Sequence, residues 1–161
     1  MALGKMQQLA RFLRERNLFA AEQFDYWMEN GTAEYAAKNL GPGVVVCRFR
    51  YDAVLSVERY SNDADLFLAL LCTWLMDNDG ERDHDDLPMP DIDVTTLDDH
   101  CADIEVRVPF IEDITLVRDD DGNVPFAGER WRLDGVTVTD ADAVGVGDDD
   151  QQPTDKPYVR D

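Results

Sequence analysis

The chain has 161 residues, enough for one domain with a real hydrophobic core and too few for a large multidomain enzyme. Hydrophobic residues make up 44%, near the globular norm, so most of the chain is expected to fold despite its charge. Its 35 acids against 15 bases leave a net charge of -20, which excludes a surface built to grip nucleic-acid phosphates or anionic lipid.

Residues 4 to 16 read as an amphipathic helix. Met6, Leu9, Ala10 and Leu13 recur at spacings of three and four, with Arg11, Arg14 and Arg16 on other sides. Next, the aromatic-rich runs Phe24 to Met28 and Thr32 to Tyr35 flank Asn30-Gly31. Both residues of that pair tolerate positive φ, so a hairpin is predicted there, with a helix over Ala20 to Met28 as the other reading. Gly41-Pro42-Gly43 then punctuates the chain ahead of a long strand from about Val44 to Tyr60. Cys47, Phe49, Tyr51, Ala53, Leu55 and Val57 make its apolar face, while Arg48, Arg50, Asp52, Ser56 and Glu58 line the other.

Ser61-Asn62-Asp63 supplies cap residues for a helix running to about Met76, with Asp63 and Asp65 placing negative charge at its positive end. The body of this helix is apolar nearly all round, so it is expected to be covered on more than one side, for which a partner subunit is one means. An acidic loop follows from Asp77 to Asp86, closed by Leu87-Pro88-Met89-Pro90. A strand at Ile92 to Thr96, a turn at Leu97 to His100 and a long strand carrying Ile104, Val106, Val108, Phe110, Ile114 and Leu116 come next. Pro109 and Glu112-Asp113 interrupt the alternation and predict a bulge or an exposed edge. After a turn at Asp119 to Asn123, a short strand at Val124 to Phe126 precedes a second hairpin, Trp131 to Leu133 with Val136 to Val138 around Asp134-Gly135. These elements predict an α/β fold: a mixed, largely antiparallel sheet with packed helices. Residues 1 to 138 form a single domain in this reading, and 139 to 161 a flexible acidic tail.

Charge is uneven along the chain. Residues 1 to 62 hold 8 bases and 7 acids, whereas 63 to 161 hold 7 bases and 28 acids, so one face or end is strongly negative. Asp outnumbers Glu by 26 to 9, a surface suited to salt. The three cysteines, Cys47, Cys72 and Cys101, are too few for a disulfide framework and read as buried reduced thiols. With no run of about 18 apolar residues and no signal-like start, the chain is expected in the cytoplasm and away from membranes.

No catalytic, cofactor or metal site emerges. His84 and His100 are the only imidazoles, and their acidic surroundings match no compact zinc spacing. Neither Asp77-Asn78-Asp79-Gly80 nor Asp119 to Asn123 fits a calcium loop, although an acidic calcium-binding module is kept as an alternative. No nucleophile elbow, phosphate-cradling loop or dinucleotide fingerprint occurs, so an enzyme is not expected. Trp27, Trp74 and Trp131 either fill core or anchor an interface. Trp74 and Trp131, with Arg48 and Arg50, are the candidate interface residues.

Several of these runs, in this order, carry a resemblance. They are Val45 to Tyr51 continuing to Val57, Asp63 to Leu66, Leu71-Cys72-Thr73-Trp74-Leu75, Ile92 to Val94, Asp103 to Thr115, Asp121-Gly122 and Trp131 to Gly135. Over about residues 6 to 138 the chain resembles the tail-completion protein R family of peduovirus-type contractile-tailed phages. The resemblance implies a virion structural protein without enzymatic activity. Such a protein terminates the tail tube and sheath as a ring, commonly of six subunits, and forms the tail-side surface for head or neck joining. A neck or head-completion subunit is the alternative within assembly proteins. Assembly would take place in the host cytoplasm, with the product residing in the neck region of the tail. DNA would pass through without specific binding, for which negative walls are suited. Asp77, Asp79, Asp83, Asp85 and Asp86 are the candidates for such a lumen, and the Asp98 to Asp103 stretch is a further one.

Overall fold

The computed structural model describes residues 4–135, in the order α1 (Gly4–Arg14), β1 (Phe24–Asn39), β2 (Gly43–Tyr60), α2 (Ala64–Asn78), β3 (Asp91–Thr96), β4 (Ala102–Arg118), β5 (Val124–Phe126) and β6 (Glu129–Leu133). Hydrogen-bonded strand order is β1-β2-β4-β6-β5, with β3 pairing β4 off this path. The fold is thus α/β, with an antiparallel sheet and two helices. The described residues divide between two compact units, 4–38 with 45–114 and 39–44 with 115–135. The acidic stretch 139–161 lies outside the described residues.

In the larger unit both helices pack on one face of the sheet. Met6, Leu9, Ala10 and Leu13 of α1 are buried, as their spacing predicts. They join Tyr51, Ala53, Leu55 and Val57 of β2 and Ile104, Val106, Val108 and Phe110 of β4 in one cluster with Phe67, Leu71, Trp74 and Leu75 of α2. Asp63 caps α2 by accepting from the Asp65 amide at 2.9 Å. Near the end of β2, Arg59 takes φ 56°, and Tyr60 is buried as well as Val57 although the two are three apart. A left-handed residue inside a strand marks such a break in alternation.

Asn30-Gly31 makes no hairpin, contrary to the sequence expectation. Asn30 does adopt φ 57°, but β1 runs on without reversal from Phe24 to Asn39. A Cβ at Gly31 would lie 3.0 Å from the Phe49 ring, so the glycine admits a β2 aromatic against the strand. Reversal occurs instead at Gly41 (φ 91°), where the Leu40 amide donates to the Gly43 carbonyl at 2.7 Å. The helical reading of Ala20 to Met28 reduces to a 3₁₀ turn at Ala21–Gln23.

β3 pairs with β4 only over Ala102 to Arg107, placing Ile92 opposite Val106 and Val94 opposite Ile104. Beyond that span, the Pro109 carbonyl accepts from Arg82 Nη1 at 3.2 Å and the Ile111 carbonyl from Lys5 Nζ at 2.8 Å. Side chains thus cap the backbone around the proline.

In the smaller unit, Leu116 to Arg118 pair with Trp131 to Leu133, and β5 pairs with β6 across Ala127 (φ 54°) and Gly128 (φ 76°). Two successive left-handed residues suit a tight hairpin. The hairpin expected around Asp134-Gly135 has its second strand, Val136 to Val138, outside the described residues. The Gly122 backbone lies so close to that of Trp131 that no Cβ could be accommodated.

Trp74 meets Phe110 edge-on at 6.4 Å and is 6% exposed. Trp74→Ala is expected to cost about 3–5 kcal/mol, read as a lowered denaturant midpoint at unchanged slope.

Candidate assembly surface

Asp79 and Glu112 fix the larger unit. Asp79, its side chain 2% exposed at the end of α2, accepts from Lys5 Nζ and Arg82 Nη1, each at 2.8 Å. Those are the two cations that cap the β4 carbonyls, so one carboxylate ties α1, α2 and β4 together. Glu112 meets the amides of Gly4 and Lys5 at 3.2 and 3.1 Å, at the positive end of α1. It also takes a short hydrogen bond from the buried Tyr51 hydroxyl. Burial first, and then donation to Glu112, hold the Tyr51 phenol well above its ordinary pKa, so it remains a donor.

Two arginines tie the strands and loops together. Arg48 pairs with Asp85 at 3.1 Å and Asp113 at 3.2 Å. Arg107 reaches Glu29 at 2.8 Å and Asp52 at 3.5 Å, linking β4 to β1 and β2. The Trp27 indole donates to Glu29 at 2.8 Å. That bond, followed by the one from Arg107, holds the Glu29 carboxyl below its usual range. The β3–β4 register sets Asp93 directly opposite Glu105, like charges that gain nothing from each other.

The candidate interface residues fall in different settings. Trp131 is 9% exposed and donates to the Phe126 carbonyl at 2.8 Å, so it and Trp74 present little ring surface. Of the three tryptophans it is Trp27 that stands partly in solvent. Arg48 is engaged in its own ion pairs, while Arg50 is exposed and has no partner among the described residues. Among the candidate lumen acids, Asp77, Asp83 and Asp86 are exposed and Asp85 is half-buried against Arg48. Asp79 is a buried ion-pair residue and contributes nothing to an exposed acidic wall. Asp98 accepts from the amides of His100 and Cys101 and shapes their turn.

The cysteines are free, but the expectation of burial does not hold. Cys47 and Cys101 are half-buried, and Cys72 is exposed on α2. Its exposure belongs to a larger feature. α2 buries Phe67, Leu71, Trp74 and Leu75 and leaves Leu66, Ala69, Cys72 and Met76 exposed, so the described residues cover one side of an almost wholly apolar helix. Tyr35 on β1 and Met89 are also fully displayed. The sequence offered one signal for Tyr35: Ala33 and Ala37 share its side of the strand, leaving the ring no large apolar neighbours there. β1 ends the strand order, so its outer edge has no strand partner among the described residues. Within these residues no group of three or more His, Cys, Asp or Glu side chains converges as a metal site.

Apolar helix side chains and a long strand edge, both left open among the described residues, are features of a protein that docks with other proteins. Comparison with known sequences gives the class its name. Residues 3–135 match the family described as P2 phage tail completion protein R (GpR), and the chain belongs to that family. It is therefore a structural protein of a phage tail that works with other tail components. A relative from Haemophilus phage HP1, an uncharacterized 19.2 kDa protein of the rep-hol intergenic region, is 27% identical over 127 residues, covering 76% of each chain. No solved structure matches.

Two predictions test this framework. Asp79→Ala leaves Arg82 buried without its carboxylate and should lower stability by about 3–5 kcal/mol in chemical denaturation. Trp27→Phe should raise the Glu29 pKa, read by NMR titration of the carboxyl carbon. The sign follows from linkage: a lowered carboxyl stabilises the fold above its unfolded pKa, and that contribution fades as pH falls through the lowered value. The part of the stability gap that comes from Glu29 is therefore present at neutral pH and is lost in acid.

Proposed function

We propose that this protein terminates the finished tail tube and sheath as a ring, commonly of six copies, and offers the tail-side surface on which the head or neck is joined. Residues 1 to 138 act as the ring-forming domain, assembled in the host cytoplasm and retained in the neck region of the virion. The role requires neither enzymatic activity nor a cofactor. The observation that carries the reading, beyond family membership, is the apolar face of α2 that the described residues leave uncovered. A subunit with separate unfilled surfaces can contact one copy on each side, and such contacts close a ring when the rotation permits.

The charge supports the same reading. A bore that passes duplex DNA benefits from walls that phosphates do not bind, and the exposed Asp77, Asp83 and Asp86 are candidates to line it.

The test is structural. Tails assembled without the chain and then given purified full-length protein should gain a ring at the head-proximal end, visible by electron microscopy, and become competent to join heads. Tails that stay bare and unjoined at saturating protein would refute the proposal.

A further inference from the structure

Each copy carries a knob and a groove that stand open among the described residues. The knob is Tyr35, 93% exposed on the outer half of β1, with no hydrogen-bond or ring partner among the described residues. It borders the same surface hollow as Arg50, which has no partner among the described residues, with Glu34 and the Arg48–Asp85 ion pair also lining it. The groove, about 450 Å³, lies between the last turns of α2 and the segment Leu87 to Pro90. Cys72, Leu75, Met76, Met89 and Pro90 give it apolar walls, the Asp79–Arg82 ion pair also lines it, and Asp83 stands at its side. Met76 is 71% and Met89 75% exposed. Flexible thioethers around an open apolar hollow adapt readily to an inserted ring.

We propose that Tyr35 of one copy seats in the Met76–Met89 groove of a second copy, with Arg50 facing the acids beside that groove. The inference rests on the ring reading and names the contact that would build the ring. Charge selects the occupant. Around the groove Asp77, Glu81, Asp83, Asp86 and Asp91 are exposed, whereas the cation on the Tyr35 side without a partner among the described residues is Arg50. An acidic segment is thereby disfavoured, and an aromatic anchor beside one available cation is favoured. Knob and groove are different surfaces, so the contact is heterologous: each copy gives its tyrosine to one neighbour and receives one from the other.

Photo-crosslinking tests this directly. Full-length protein with benzoylphenylalanine in place of Tyr35 is used to complete tails and then irradiated. The expected result is a ladder of crosslinked copies extending past the dimer, with crosslinks mapped to the Cys72–Met76 turn or to Met89. Met76→Asp should weaken the ladder by about tenfold or more while leaving the melting temperature of this exposed position unchanged. Dimers alone, crosslinks elsewhere on the chain, capture of a tail-tube protein instead, or no crosslink would each overturn the proposal. If wild-type protein completes tails as a ring but the crosslink fails, only this contact falls. If it neither forms a ring nor completes tails, the ring reading and the contact fall together.

Discussion

Two carboxylates carry more of this fold than their number suggests. Asp79 holds Lys5 and Arg82, which cap the Pro109 and Ile111 carbonyls, and Glu112 receives the first amides of α1 together with the Tyr51 hydroxyl. Apolar burial packs both helices on the sheet, but burial is not directional and does not fix where a helix begins or ends. The carboxylates supply that direction. Removing charge from water is costly, and here the cost is met because each acid faces several donors at once. The arrangement specifies geometry as much as it adds stability: α1 can begin only where its amides find Glu112, and α2 can end only where Asp79 finds both cations.

With the interior fixed in this way, the remaining acids are free to act at the surface. The Asp93–Glu105 pair across β3 and β4 is tolerated although it repels, and Arg107, two residues along on the same side of β4, is already committed to Glu29 and Asp52. A surface charged this heavily keeps copies apart at low salt, and at physiological ionic strength screening confines that repulsion to separations within a Debye length of about 8 Å. Association must then come from short-range apolar contacts, and the exposed thioethers and the tyrosine of β1 are the groups suited to supply them.

Elements whose signals are local were legible in the sequence. The three-and-four spacing of Met6, Leu9, Ala10 and Leu13, the alternation along β2, and the Asp63 cap each depend on neighbours in the chain, and each appears where expected. The Asn30-Gly31 hairpin failed for a tertiary reason. Asn30 takes the left-handed conformation its type permits, but pairing with β2 and the Phe49 ring over Gly31 favour a continuous strand. Asp79 was indistinguishable from the acids around it, because only the fold brings Lys5 to it across 74 positions of sequence. Trp74 was legible as a large apolar residue, yet whether it faced core or partner depended on which stripe of an all-apolar helix met Phe110.

The free edge of β1 completes the argument for assembly. Soluble proteins usually blunt a long edge strand with proline, inward charges or a covering segment, because unpaired backbone groups recruit other strands. β1 runs 16 residues without a proline, and its outer half is exposed throughout. Its acids and its lysine moderate that edge without breaking it. In a freely diffusing monomer such a strand is a liability. In the proposed ring, with a neighbour lying against it, the same strand would be a rigid element holding Tyr35 at a set position, and the length of the edge left open among the described residues would follow from assembly.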